Sequence, residues 1–136
     1  MTRSQILVAR ILLVVYIIAV LVLCFGQFKS TEEIPRSFLG IPMDKVVHFL
    51  MFFPLPFLAF FAFDRYTEKF WPSVLWTSVA FVAGALFAAG TEIGQALLTS
   101  YRTGDPTDFR ADLVALAVGS LIVLVLDLSK QKEQKE

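Results

Sequence analysis

A chain of 136 residues that is 57% hydrophobic and 14% aromatic, with a mean hydropathy of +0.70, lies outside ordinary soluble usage and reads as an integral membrane protein. Its charged residues, 18% of the chain, balance to no formal net charge and fall in blocks between apolar runs, which excludes bulk attraction to nucleic acid. The lone Cys24 allows no disulfide within one chain and no zinc-type cysteine spacing.

The first apolar run, Ile6 to Phe25, holds Arg10, whose charged head can snorkel to the near interface while its stem stays in the apolar layer. A signal peptide is the competing reading. The run is long, however, no small-x-small cleavage site follows it, and Leu23 before Cys24 fits a lipoprotein site poorly, so a retained helix over about 6–26 is expected. Gln27 to Asp44, punctuated by Pro35, Gly40 and Pro42, reads as a polar connection with room for a short surface helix.

A second helix over about 44–63 starts with Asp44 at the positive helix end. Pro54 and Pro56 each remove a backbone donor inside it and should bend or open it. Asp64 to Phe70 forms a solvated turn, with Trp71 as an interfacial anchor. The third helix, about 72–98, has Pro72 in its first turn and a small-residue stripe, Ala80, Gly84 and Ala88, leading to Glu92; it is expected to be the central helix. The fourth, about 107–128, ends in a solvated, frayed tail carrying Lys130, Lys132 and Lys135. The expected fold is all-α: one domain, 1–136, built as a bundle of four transmembrane helices.

Four crossings put the amino terminus, the Asp64 to Phe70 turn and the carboxyl terminus on one face. That face holds Arg3, Arg10, Arg65, Lys69, Lys130, Lys132 and Lys135, seven basic residues against five (Lys29, Arg36, Lys45, Arg102 and Arg110) on the other, a bias that places both termini in the cytoplasm. The start of helix two, the end of helix three and the loop into helix four then emerge together on the opposite, outer face. Asp44 and His48 share a helix face, as do Glu92 and Gln95, while Asp108, Asp112, Ala115 and Gly119 follow one stripe, whose small residues should pack against helix three.

An ionisable group near the centre of a membrane helix costs about 2.5–3.5 kcal/mol on the lenient insertion scale and needs a partner. Each has a local explanation. His48 can bond a neighbouring helix, Glu92 with Gln95 can be interhelical glue, Arg102 and Arg110 can meet headgroup phosphates, and Asp108 can cap helix four. Separate explanations do not account for convergence on one face, which favours a polar outer-face site with Glu92 as its hub, paired to Arg102 or Lys45.

DKVVHF at 44–49, TEIGQ at 91–95, Arg102, and DFRAD at 108–112 resemble the VanZ-like proteins, whose pattern runs D-K-x-x-H-F, E-x-x-Q, R, then D-x-x-x-N-x-x-G-x-x-x-G. Asp112 stands where that pattern has Asn, and Ala115 where it has the first Gly. The extra carboxylate changes the charge of the site. The resemblance implies a small helical membrane protein, with some members associated with low-level resistance to the lipoglycopeptide teicoplanin.

Three functions follow as expectations. One is binding of an anionic amphiphile (a membrane lipid, a lipid-linked cell-wall precursor or a lipoglycopeptide) through Asp44, Lys45, His48, Glu92, Gln95, Arg102, Asp108 and Asp112, with a role in the cell envelope. A second is a membrane enzyme for a lipid-linked phosphate or ester, with His48, Glu92 and Asp108 as catalytic candidates. No Gly-x-Ser-x-Gly, HExxH or phosphate-loop motif supports a particular reaction. The third is a cluster that only assembles the helices or a homo-oligomer. No cofactor or metal is assigned by the spacing, although His48, Glu92, Asp108 and Asp112 form an alternative donor set for a hard divalent ion.

Overall fold

The computed structural model describes residues 1–26, 36–64, 67–100 and 104–135. Its elements are α1 (Arg3–Phe25), β1 (Ser37–Phe38), β2 (Ile41–Pro42), α2 (Met43–Phe52), α3 (Leu55–Ala62), α4 (Phe70–Leu98) and α5 (Pro106–Glu133). Four stretches, α1, α2 with α3, α4, and α5, are long and apolar enough to cross a membrane, so the chain is a polytopic four-helix bundle. Residues left exposed by packing, among them Leu7, Ile11, Leu50, Leu86, Leu97 and Val125, are apolar, as lipid-facing surfaces are.

Of the connection between α1 and α2, the described residues form a hairpin, and 27–35, where the sequence allows a short surface helix, lie outside them. Ser37 pairs with Pro42 and Phe38 with Ile41, and Leu39 (φ 52°) and Gly40 (φ 80°) both take the left-handed backbone that a two-residue turn requires.

Pro54 and Pro56 split the second span into α2 and α3. Carbonyls in the last turns of both halves find donors on α1: the Tyr16 hydroxyl donates to the Met51 carbonyl, and Arg10 Nε donates to the Ala62 carbonyl at 3.1 Å while its guanidinium lies 5.8 Å from the Phe63 ring centroid. α5 passes the break at Gly119, where an added Cβ would lie 3.0 Å from both the Phe53 carbonyl oxygen and Pro56 Cγ. The Ala115–Gly119 stripe thus brings Gly119 against the second span rather than helix three. Gly84 of α4 faces Leu116 and Leu55 instead.

The central helix is α5, not α4: 39% of its most apolar window is buried against 17% for α4. It touches α2, α3 and α4, whereas α4 leaves Val79, Val82, Leu86 and Ile93 outward. The tail is also more ordered than its lysines suggest, because α5 continues to Glu133. Gln131 Nε2 donates to the Thr67 carbonyl at 3.1 Å, Ser73 Oγ at 2.8 Å and Asp127 Oδ2 at 3.0 Å, which ties the last turns to the start of α4. Ser73 Oγ in turn bonds the Asp127 carboxylate, completing a buried polar cluster at the end of the bundle that carries the termini.

Candidate functional site

At the opposite end, the hairpin delivers the chain into α2, with the Met43 amide donating to the Arg36 carbonyl at 3.1 Å. That fixes the first turn of α2, so that Lys45 reaches toward α5. Lys45 Nζ donates to Asp44 Oδ2 at 2.7 Å, to Asp105 Oδ2 at 3.1 Å and to Asp108 Oδ1. His48, nearly one turn further in, is buried between α4 and α5, with Glu92, Asp108 and Asp112 as its charged neighbours.

The connection into α5 turns tightly over the end of α4. An added Cβ at Gly104 would stand 2.6 Å from the Glu92 carbonyl oxygen, so no larger residue fits there without the chain moving. Asp105 is the N-cap of α5: its Oδ1 accepts from the Thr107 amide at 2.8 Å and the Thr107 hydroxyl at 2.7 Å, ahead of Pro106 in the first turn. These donors, with Lys45 behind them, hold the Asp105 carboxyl down at about 2. The Asp105 amide donates to Glu92 Oε2 at 2.9 Å, which locks the loop to α4. Asp108 and Asp112 then descend one stripe of α5 toward His48.

Three carboxylates surround the imidazole, and only one lies at hydrogen-bond distance. His48 Nδ1 stands 3.0 Å from Asp112 Oδ1 and 3.7 Å from Glu92 Oε1, while Nε2 stands 3.5 Å from Asp108 Oδ2. When Asp112 is ionised it can only accept, which puts the proton on Nδ1 and leaves Nε2 facing Asp108. Each carboxylate commits one oxygen to the protein: Glu92 to the Asp105 amide, Asp108 to Lys45, Asp112 to His48. Glu92 Oε1 and Asp112 Oδ2 are buried without a hydrogen-bond partner among the described residues. Buried polar atoms rarely stay so, because an unmet group keeps its full desolvation cost.

The structure thus brings together Asp44, Lys45, His48, Glu92, Asp108 and Asp112 of the candidate residues. It adds Asp105, which the sequence reading passed over although Gly-Asp-Pro at a helix start is a capping signal. Gln95 points elsewhere: its Nε2 donates to the Cys24 carbonyl at 2.8 Å and caps the end of α1. Arg110 is exposed on the outer surface of α5, and Arg102 lies outside the described residues. Of the two partners expected for Glu92, Arg102 lies outside the described residues and Lys45 does not pair with it. Lys45 sits at the level of the α5 start and is taken by its three aspartates, so the hub facing Glu92 is His48.

A family model described as VanZ/LLP1 matches residues 11–127, a span that contains every member of this cluster. No curated protein and no solved structure matches the chain.

Proposed function

Because the chain belongs to the VanZ/LLP1 family, we propose that it is a multi-pass protein of the cell membrane that binds the head group of an anionic amphiphile at this cluster. Both termini are cytoplasmic in this reading. The seven-to-five excess of basic residues on the terminal face supports it, and the margin widens because Lys45 is neutralised by Asp44, Asp105 and Asp108 and does not act as a free topogenic charge. The cluster then lies at the outer leaflet, within reach of a phospholipid, a lipid-linked cell-wall precursor or a lipoglycopeptide.

The observation that carries the proposal is incompleteness. A cluster that served only to hold helices together would have its buried acceptors met, yet Glu92 Oε1 and Asp112 Oδ2 are not. The head group supplies what is missing: its hydroxyl or amine donors meet the open oxygens, and Arg102, the residue expected from the sequence to take its phosphate or carboxylate, has a planar fork suited to either. The test is a reconstituted binding assay with fluorescent phosphatidic acid, a labelled lipid-linked precursor and teicoplanin. Arg102→Gln should abolish association while leaving the helical content and melting profile intact; unchanged association overturns the reading.

A second reading rests on the His48–Asp112 pair, in which a buried carboxylate fixes the imidazole tautomer and leaves Nε2 available as a general base. Turnover of a labelled lipid phosphate or ester that disappears in His48→Ala would replace binding with catalysis.

A further inference from the structure

We propose that His48, Glu92 and Asp108 form a site for one divalent transition-series cation, with Asp112 holding the imidazole from behind. One donor atom from each of the three lies within 4.8 Å of the others. Ligands around a single ion at about 2.0–2.6 Å can be no further apart than roughly 4–5 Å, so the three side chains are already within coordination reach of one centre. Three helices carry them, α2, α4 and α5, so their spacing does not depend on a loose loop.

The division of oxygens points to a cation. Glu92 is 7% exposed, and its Oε1, 3.7 Å from His48 Nδ1, has no hydrogen-bond partner among the described residues. Asp108 Oδ2 faces Nε2 at 3.5 Å, beyond a hydrogen bond, and its other oxygen is held by Lys45. Proton donors from the protein already reach the opposite oxygen in each case, which leaves Glu92 Oε1 and Asp108 Oδ2 as the oxygens turned toward the ring. The charge has the matching sign. Asp44, Glu92, Asp105, Asp108 and Asp112 face only Lys45 and His48 among the described residues, and Lys45 is shared by three of the five carboxylates.

Asp112 accepting from Nδ1–H is how a metal-bound histidine is usually oriented, with the lone pair of Nε2 directed to the ion. Asp112 is fully buried, and its Oδ1 lies 3.0 Å from Nδ1. One imidazole with two carboxylates favours Mn²⁺ or Zn²⁺ over Ca²⁺ and Mg²⁺, which prefer oxygen alone. The ion would also give the cluster the positive charge that Lys45 has already surrendered. In that role, which rests on the amphiphile reading above, its open positions accept the phosphate of the head group.

The experiment uses the full chain in detergent, stripped with chelator and dialysed against Mn²⁺ or Zn²⁺ alone. One ion per chain is expected, removable by chelator. Glu92→Gln should weaken binding at least tenfold, and Glu68→Gln, exposed near the opposite end, should leave it unchanged. No stoichiometric binding, or equal binding in Glu92→Gln, overturns the site. Should Glu92→Gln fail to fold, pulsed electron paramagnetic resonance of Mn²⁺ on the wild-type chain decides: coupling to one imidazole nitrogen supports the site, and its absence overturns it. A separate arm measures phosphatidic acid binding with and without chelator. Metal binding without lipid binding, if the labelled precursor and teicoplanin also fail to bind, refutes the amphiphile reading and supports the ion site; lipid binding indifferent to chelator, with the ion bound, refutes only the bridging role.

Discussion

The two ends of this bundle solve the burial of carboxylates in opposite ways. Near the termini, Asp127 sits among neutral donors, Ser73 and Gln131, which are themselves bonded to each other and to the Thr67 carbonyl. At the far end, Glu92, Asp108 and Asp112 crowd one imidazole and leave buried oxygens open. The first is what helix assembly alone produces. The second holds more negative charge than assembly needs, which is the pattern expected where something else completes the shell.

The comparison breaks most visibly through stability. Asp127→Leu removes the acceptor for Ser73 and Gln131 and should cost about 1–3 kcal/mol, read as a lowered melting temperature in detergent, because their buried polar groups lose a partner. A loss no larger than that of an exposed substitution would mean the cluster near the termini is not structural glue.

Neutralisation sharpens the contrast. Asp112→Asn keeps an oxygen for His48 and removes surplus charge, so in chelator it should melt within about 1 kcal/mol of wild type, inside the usual range for one hydrogen bond. It should also lose much of the stabilisation that saturating Mn²⁺ gives the wild-type chain, whereas Asp127→Asn keeps it. Equal Mn²⁺ stabilisation in both variants would show that the two clusters do not differ in the way their open oxygens suggest.

The smallest effect concerns the loop. Asp105 titrates at about 2 in the folded chain, below the ordinary carboxylate value of about 3.9. A depressed folded value means that its contribution is complete above about pH 4 and is lost as pH falls toward 2. The melting temperatures of wild type and Asp105→Asn should therefore converge between pH 4 and pH 2. A constant gap would mean that the cap does not act through its charge.

How much of this was legible in the sequence depended on whether the signal was periodic or rotational. Four spans were legible because long apolar runs have few alternatives, and the break at Pro54 followed from a missing donor. Asp108 and Asp112 could be placed on one stripe by their spacing of four, and Lys45 and His48 at the same end by counting crossings. Rotation about each helix axis was not legible. It turned Gln95 toward α1, set Gly119 against the second span and made α5 the centre. Asp127 and Gln131, also four apart, carried a signal of the same kind as Asp108 and Asp112, but the lysines around them read as a solvated tail. The hairpin at Ser37–Pro42 was hidden because a leucine in left-handed backbone has no strong sequence mark.

The donors that α1 lends to the second span bear on the order of assembly. Tyr16 and Arg10 meet the Met51 and Ala62 carbonyls, which lie in the last turns of α2 and α3, where carbonyls lack helical partners. In hydrocarbon an unmet carbonyl is costly, so the second span is poorly suited to enter lipid by itself as it emerges during synthesis. The first span, already made, is the surface that receives it. The two are expected to insert as a hairpin, so that a change at Tyr16, well before Lys45 and His48 in the chain, should reach the cluster as a fault in membrane integration rather than in binding.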